Sequence, residues 1–499
     1  MPERTSIAQR VVFSNLMFAS LISLGLAGCD DRGGRQEIQL TECRLPKLAT
    51  AAQCGMVQVP EDRSQTGGRK IGIAVTVLSA NTLSPKSDPL FMFAGGPGQS
   101  ADALAPLAAR LGGVRRSRDI VLVDPRGTGK SAPLKCEALA PRDAFEMLLD
   151  TDAAVNAARN CLTELRDAGQ ADVAQYTTPA FVADIDAVRA ALGYDRINLW
   201  GGSYGTRVAQ EYLRRYPDRV RSVVLDGAAP PAMKISLDVW PSREAALADV
   251  IAACATDGAC NSAYPDLAAT LDSIRNGLAG ESRVSIVDPR TGAIHDVPLS
   301  FDIVIGTLQG LVYAPELASL IPPLIARAKA GDYAPLAAAA MMFGDELERT
   351  MNLALHYAVT CAEDAPRVAA PDAAILFARL KSPALAQRSL AACEGWPRPA
   401  LPPDFYAPIA SGTPVLILSG GTDPVTPPAN GELVAKSLPN SRHVIASGYG
   451  HIVSPHACAP RLIEKFIEDA GFESLPKSCL DYFAASKRPG VFSSLLEAR

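Results

Sequence analysis

The chain of 499 residues is 48% hydrophobic, enough to bury one large core or two smaller ones at about 100–200 residues per domain. Its 53 acidic and 48 basic residues are interspersed and leave a formal net charge of −5, which offers no basic face to a polyanion and argues against nucleic acid as a partner. No internal repeat or low-complexity tract is evident, so a globular protein is the expectation.

The N-terminus reads as an address. Arg4 and Arg10 precede VVFSNLMFASLISLGLAGC (11–29), a run too short and too interrupted by Ser for a spanning helix, ending in small residues as a cleaved signal peptide over 1–28 does. Leu26-Ala27-Gly28-Cys29 resembles the lipobox of bacterial lipoproteins, in which the cysteine is acylated; the alternative is a plain secretory cleavage with Cys29 as a bystander. Acyl chains contribute about 0.8 kcal/mol per buried CH₂, so several would hold the protein on a membrane. In such lipoproteins an Asp after the cysteine, here Asp30, often implies retention at the inner membrane. The expected location is therefore the periplasmic side of the cell envelope.

There are eleven cysteines, and ten without Cys29. An even number suits disulfides in an oxidising compartment. Number alone leaves the connectivity open, but clustering favours neighbours: Cys43 with Cys54, Cys136 with Cys161, Cys254 with Cys260, Cys361 with Cys393 and Cys458 with Cys479. A metal site competes for these residues, yet the sequence has no C-x-x-C pair and its five histidines show no ligand spacing. No metal is expected.

Residues 30–60 read as irregular. KIGIAVTVLSA (70–80) is strand-like, and PLFMF, RDIVLV, RINLW, RVRSVVLD and, far downstream, TPVLILS have the length of buried strands. PAFVADIDAVRAALG (179–193) and GTRVAQEYLRRYP (205–217) are helical, the second stopped by Pro217. Alternating strands and helices predict an α/β fold, a mostly parallel sheet flanked by helices. The interval 229–410 breaks this rhythm with helical stretches rich in Ala, Leu and Pro, and reads as an inserted, mainly helical cap. The core then falls into two parts, 29–228 and 411–499.

Gly201-Gly202-Ser203-Tyr204-Gly205 lies directly after the strand-like INLW and before a helix. That is the setting of a nucleophile elbow, where glycines are needed because any Cβ beside the turn would collide. The competing reading is a glycine-rich turn of the kind that binds phosphate. A nucleophilic serine needs a base and an orienting acid, which follow in the order Ser, Asp, His in this kind of elbow. Asp423 in GGTDPVTPP and His451 in GYGH each sit in a glycine-bounded loop past a strand. Asp226 and Asp124 also end strands and His443 and His456 are further histidines, but only Asp423 and His451 fit the expected order. In AGGPGQSA (94–101), the N–H of Gly96 together with that of Tyr204 could form an oxyanion hole. DPRGTGKS (124–131) is no P-loop, because Asp124 stands where its first glycine belongs.

GGPG, DPRGTGKS, GGSYGTRVAQEY, YPDRVRSVVLDG, GGTDPVTPP and GYGH together resemble the proline iminopeptidase and tripeptidyl aminopeptidase family of α/β-hydrolases, over about 90–230 and 400–480. The resemblance implies an α/β-hydrolase fold and a serine exopeptidase that frees residues or short peptides from free N-termini without metal or cofactor. It carries the nucleophile, acid and base onto Ser203, Asp423 and His451, and the oxyanion donors onto Gly96 and Tyr204. Ala94 departs from it: iminopeptidases usually have His there, so the tripeptidyl branch is favoured. A carboxylesterase acting on small esters is the alternative, and an inactive binding scaffold a third. An exopeptidase must also face the substrate's α-ammonium with a carboxylate, since an unpaired buried charge is costly. Within HYAVTCAEDAP (356–366), Glu363 after Cys361 is the candidate, against a solvated surface pair or a salt bridge within the cap.

Overall fold

The structure, a computed structural model, describes residues 38–46, 48–140, 153–278, 282–287 and 291–487. The expected signal peptide, Cys29 and Asp30 lie outside these residues. The chain divides into two units, Met1–Arg35 and Gln36–Arg499, and everything below concerns the second.

Among the described residues nine strands form one sheet: β1 (Thr41–Cys43), β2 (Ala52–Pro60), β3 (Lys70–Leu78), β4 (Leu90–Phe93), β5 (Ile120–Val123), β6 (Ile197–Gly202), β7 (Val220–Asp226), β10 (Val415–Gly420) and β11 (Ser441–Ala446). Their order is β1-β2-β3-β5-β4-β6-β7-β10-β11. The pairs from β5 through β11 are parallel, and those among β1, β2, β3 and β5 are antiparallel. β4, β5, β6 and β10 are buried along their whole length, which is why they read as unbroken apolar runs. The expectation that 30–60 is irregular is corrected, because β1 and β2 extend the sheet. In β2, Val57 and Val59 are buried while Met56 and Gln58 are exposed, the period-2 pattern of a strand covered on one face.

Alternate residues feed two helix layers. Phe91, Phe93, Val121, Val123, Leu199, Val223, Leu225, Val415 and Ile417 face the helices Thr178–Ala191 and Tyr204–Arg215. Leu90, Met92, Ile120, Leu122, Trp200, Val224, Leu416 and Leu418 face Ala105–Arg110 and Ala459–Asp469. Thr177 caps the first of these helices by accepting from the Ala180 N–H, with Pro179 in its first turn, where no amide is missed.

Between β7 and β10 the chain leaves the sheet for a mainly helical excursion that starts with Ile235–Thr256 and ends with Pro383–Ala391. It has its own apolar cluster around Leu271, Val304, Leu308, Ile321 and Ile325. Two features add to the expected, mainly helical insert. β8 (Ser282–Val287) and β9 (Ile294–Leu299) form an antiparallel hairpin, and the helix Leu353–Glu363 puts Ala354, Leu355, Ala358 and Val359 into the core beneath the sheet.

The cysteines pair as clustering suggested: Cys43–Cys54, Cys136–Cys161, Cys254–Cys260, Cys361–Cys393 and Cys458–Cys479. Non-reducing peptide mapping is expected to recover these five linkages, and reduction to lower the melting temperature, since each native bridge of this loop size is worth about 2–4 kcal/mol. Free thiols at most of these positions would contradict the fold as described.

Candidate active site

Ser203 stands between β6 and the helix Tyr204–Arg215 with φ 54° and ψ −122°, a conformation that costs a non-glycine residue about 1–3 kcal/mol. The neighbouring backbone imposes it. A Cβ on Gly201 would lie 2.2 Å from the Gly205 carbonyl oxygen, and one on Gly205 would lie 2.2 Å from that of Phe93. The Ser203 N–H donates to the Asp226 carbonyl of β7 at 2.9 Å. Its own carbonyl accepts from the Thr206 N–H at 2.9 Å and the Thr206 hydroxyl at 2.6 Å.

Past the end of β10, Asp423 Oδ2 lies 2.8 Å from His451 Nδ1. Its other oxygen accepts the N–H groups of Val425 and Thr426, each at 2.8 Å, and the Thr426 hydroxyl donates to Oδ2 at 3.0 Å. Burial opposes ionisation of Asp423, but His451 and these amides outweigh it and hold its pKa below the ordinary value. Burial likewise pushes the imidazole down, but the Asp423 charge prevails and His451 sits above its ordinary value. A proton on Nδ1 suits this carboxylate and leaves Nε2 as the acceptor. Ser203 and His451 line one cavity of about 910 Å³, whose wall also includes residues of the helical excursion such as Trp240 and Tyr313.

The other acids and histidines are occupied elsewhere. Asp226 accepts from the N–H groups of Val453 at 2.9 Å and Ser454 at 2.7 Å, and so anchors the loop that carries His451. Asp124 accepts from the Ala101 and Lys130 amides. His443 contacts the Ser419 hydroxyl at 2.9 Å, and His456 packs on Tyr449.

Gly95 and Gly96 line the cavity beside Ser203. The Gly95 N–H is taken by Gln99 Oε1 at 3.1 Å, so Gly96 is the next amide available. Gly96 has φ +106°, and a Cβ there would lie 2.7 Å from the Gly98 nitrogen. Tyr204 opens the helix, where a backbone N–H has no intrahelical partner. Its ring is buried away from the cavity, with the hydroxyl 2.8 Å from Thr178 Oγ1. Two residues of the helical excursion, unmarked in the sequence, also shape the site. The Tyr313 carbonyl accepts the His451 N–H at 3.0 Å, and its ring meets the imidazole edge-on at 5.6 Å. Arg243 lines the cavity and donates to the Tyr313 hydroxyl at 2.7 Å. Among the described residues no group of three or more His, Cys, Asp or Glu is placed to hold a metal ion, and no helix is long and apolar enough to cross a membrane.

Residues 88–288 match a family model described as alpha/beta hydrolase fold, and residues 380–479 one described as TAP-like protein. The chain is 31% identical over 427 residues to Carboxylesterase B of Mycobacterium tuberculosis, covering 78% of each protein. It belongs to the α/β-hydrolase family. The hydrolase is also 29% identical over 347 residues to Serine protease Hip1 of Mycobacterium tuberculosis, covering 63% of this chain and 66% of that one. To the Tripeptidyl aminopeptidase of Streptomyces coelicolor it is 31% identical over 222 residues, covering 42% of this chain and 41% of the relative. It thus spans just under two thirds of the first of these two relatives and less than half of the second.

Glu363 is not where the hydrolase was expected to need it. It is fully buried and absent from the cavity lining, because the helix Leu353–Glu363 turns Leu353, His356, Tyr357 and Thr360 to the cavity and passes beyond it before Glu363. One carboxylate oxygen accepts the Thr178 N–H at 2.6 Å; the other accepts the Thr178 hydroxyl at 2.9 Å and lies 3.5 Å from Arg207 Nη1. Arg207 also pairs with Asp364 at 3.0 Å. The ion-pair alternative therefore describes Glu363, with its cation on the core helix rather than within the cap. Burial outweighs Arg207 and the Thr178 amide and pushes the Glu363 carboxyl up to about 7 from its ordinary 4.5. An acid raised in the folded state keeps a proton that the unfolded chain has lost, so this group's contribution to stability is lost as pH rises from 4.5 to about 7. Glu363→Gln is expected to flatten that slope in urea midpoints measured from pH 4 to 8; an unchanged slope would contradict the assignment.

Proposed function

We propose that this α/β-hydrolase is a serine aminopeptidase that releases residues or short peptides from free peptide N-termini through an acyl-enzyme intermediate. The observation that carries the mechanism is the 2.8 Å Asp423–His451 contact on a cavity wall shared with Ser203. In this reading Ser203 Oγ attacks the scissile carbonyl and His451 Nε2 takes its proton, then returns it to the leaving amine. Asp423 holds the imidazole and stabilises its cationic form. The N–H groups of Gly96 and Tyr204 receive the oxyanion, each donor being worth about 2.7–4 kcal/mol. Water then repeats the sequence on the acyl-enzyme, so no cofactor is required. The peptidase assignment draws support from the serine protease and the tripeptidyl aminopeptidase among the relatives.

A carboxylesterase is the second reading. The identity to Carboxylesterase B over 78% of the chain favours it, and so does the cavity wall, where Asp302, the one carboxylate among the described lining residues, already pairs with Arg388. Five disulfides support export. We further propose that 1–28 is removed, that Cys29 carries the lipid anchor, and that 229–410 caps the core parts 29–228 and 411–499.

Hydrolysis of free-N-terminal peptide amides is expected to exceed that of N-blocked peptides, with short-chain esters run alongside. Equal rates on free and blocked peptides would overturn the requirement for a free N-terminus, and turnover of esters alone would replace the aminopeptidase by the esterase. Ser203→Ala is expected to keep the fold, measured by circular dichroism, and to lose the acyl-enzyme burst with a drop in kcat on the order of 10⁴–10⁶-fold. Asp423→Asn is expected to lower kcat by roughly 10⁴-fold. Because the neutral imidazole is the base and Asp423 raises its pKa, the acid limb of the kcat/KM profile should also move to lower pH in that variant. A limb that stays in place would remove Asp423 from its role.

A further inference from the structure

The helix Ile235–Thr256 lays Ser236, Trp240 and Arg243 along the cavity wall at the spacing of one helical face. Arg243 is the cation of this face. Its guanidinium stacks between the Trp240 ring, at 5.0 Å, and the Tyr313 ring, at 5.4 Å. One of its nitrogens, Nη2, donates to the Tyr313 hydroxyl, while Nε is buried without a hydrogen-bond partner. Among the described residues Arg243 makes no ion pair. The other charged side chains on the wall, Asp302 and Arg388, face each other at 3.3 Å, and Asp302 also accepts from the Ser382 hydroxyl. Among the described residues of the wall one positive charge is thus left uncompensated, in the cavity that also holds Ser203 and His451.

Such a charge is costly to desolvate unless an anion meets it. The aromatic rings hold the planar group in one orientation, so its remaining donors are preorganised for a planar oxyanion, the fork geometry that carboxylates match. Its position also selects a side. Arg243 reaches His451 through Tyr313, whose ring packs on the imidazole, whereas the proposed oxyanion donors flank Ser203 on the core. The imidazole hands its proton to the leaving group, so Arg243 stands beside the leaving group's path.

We propose that Arg243 is a carboxylate subsite for the leaving group, so that the preferred substrates are short ones whose free C-terminal carboxylate lies one or two residues beyond the scissile bond. The Tyr313 ring neighbours both groups, its centroid 5.4 Å from the guanidinium and 5.6 Å from the imidazole, a separation within reach of a short leaving group at about 3.5 Å per extended residue. This inference rests on the serine-hydrolase reading above and adds a substrate class to it.

The test uses a matched pair of depsipeptides, identical except that the leaving group is lactate in one and lactamide in the other, so that a peptidase and an esterase can both cleave them. The wild type is expected to favour the lactate ester about 10- to 100-fold in kcat/KM, the range of a charge-assisted hydrogen-bond pair. Arg243→Gln should bring the ratio close to one, and Arg243→Lys, which keeps the charge without the fork, should retain part of it. A wild-type ratio near one would overturn the subsite. So would an Arg243→Gln variant that slows both esters equally and keeps the ratio, since a residue that merely supports Tyr313 acts on both. The underlying reading is tested separately by p-nitrophenyl acetate turnover in wild type and Ser203→Ala. Turnover that depends on Ser203, with no preference between the depsipeptides, removes the subsite and leaves the hydrolase standing. Turnover that does not depend on Ser203 removes both.

Discussion

Three backbones meet at the turn after β6 with no room for a side chain between them. Gly201 lies against the Gly205 carbonyl and Gly205 against that of Phe93, so strand, helix and the end of β4 approach as closely as bare peptide allows. Ser203 is held at positive φ as a result. The strain is tolerable because β4, β6 and their neighbours are buried on both faces, and each apolar side chain so buried contributes about 1.5–3 kcal/mol. The same approach sets Gly95 over the serine, where a Cβ would lie 3.2 Å from that of Ser203. The site's backbone amides and its hydroxyl therefore share one rigid origin.

A second constraint ties the insert to that origin. Arg207 lies one turn beyond Ser203 on the same helix and pairs with Asp364, whose other oxygen accepts the N–H of Ile235 at 2.9 Å. Ile235 begins the helix that carries Arg243. Arg207 also donates to the Met233 carbonyl, and Arg367 joins the cluster through Asp364 at 3.1 Å. A buried charge network of this kind is weak evidence for net stability, because desolvation offsets much of the attraction. Removing one member leaves the others unpaired at a cost of about 3–5 kcal/mol, so the network specifies one seating of the insert on the core.

What could be read from the chain follows from where each signal is encoded. Strands covered on both faces write their burial as continuous apolar runs, so β4 to β7 and β10 were legible. β2 was not, because Gly55 interrupts it and half its residues face outward, and β8 and β9 are short strands in a stretch whose composition is helical. Ser203, Asp423 and His451 were legible because each sits in a glycine-bounded turn following a strand, and local turn chemistry is written in neighbouring residues. Tyr313 and Arg243 act through contacts between an insert and a distant loop, for which no local pattern exists. Glu363 shows the converse error. The sequence placed an acid beside a disulfide in the cap, but whether its helix turn faces a cavity or a buried arginine is decided by the packing of two elements far apart in the chain.

The Tyr313 carbonyl that accepts the His451 N–H belongs to the insert, while the Asp423 that holds the imidazole belongs to the core. The histidine is therefore suspended from two bodies. In a scaffold where all catalytic groups hang from the sheet, a cap is a modular accessory that can be exchanged to change what the enzyme accepts. Here the insert supplies the carbonyl that holds the His451 backbone, so in the function proposed above transplanting a foreign one would move the base as well as reshape the pocket.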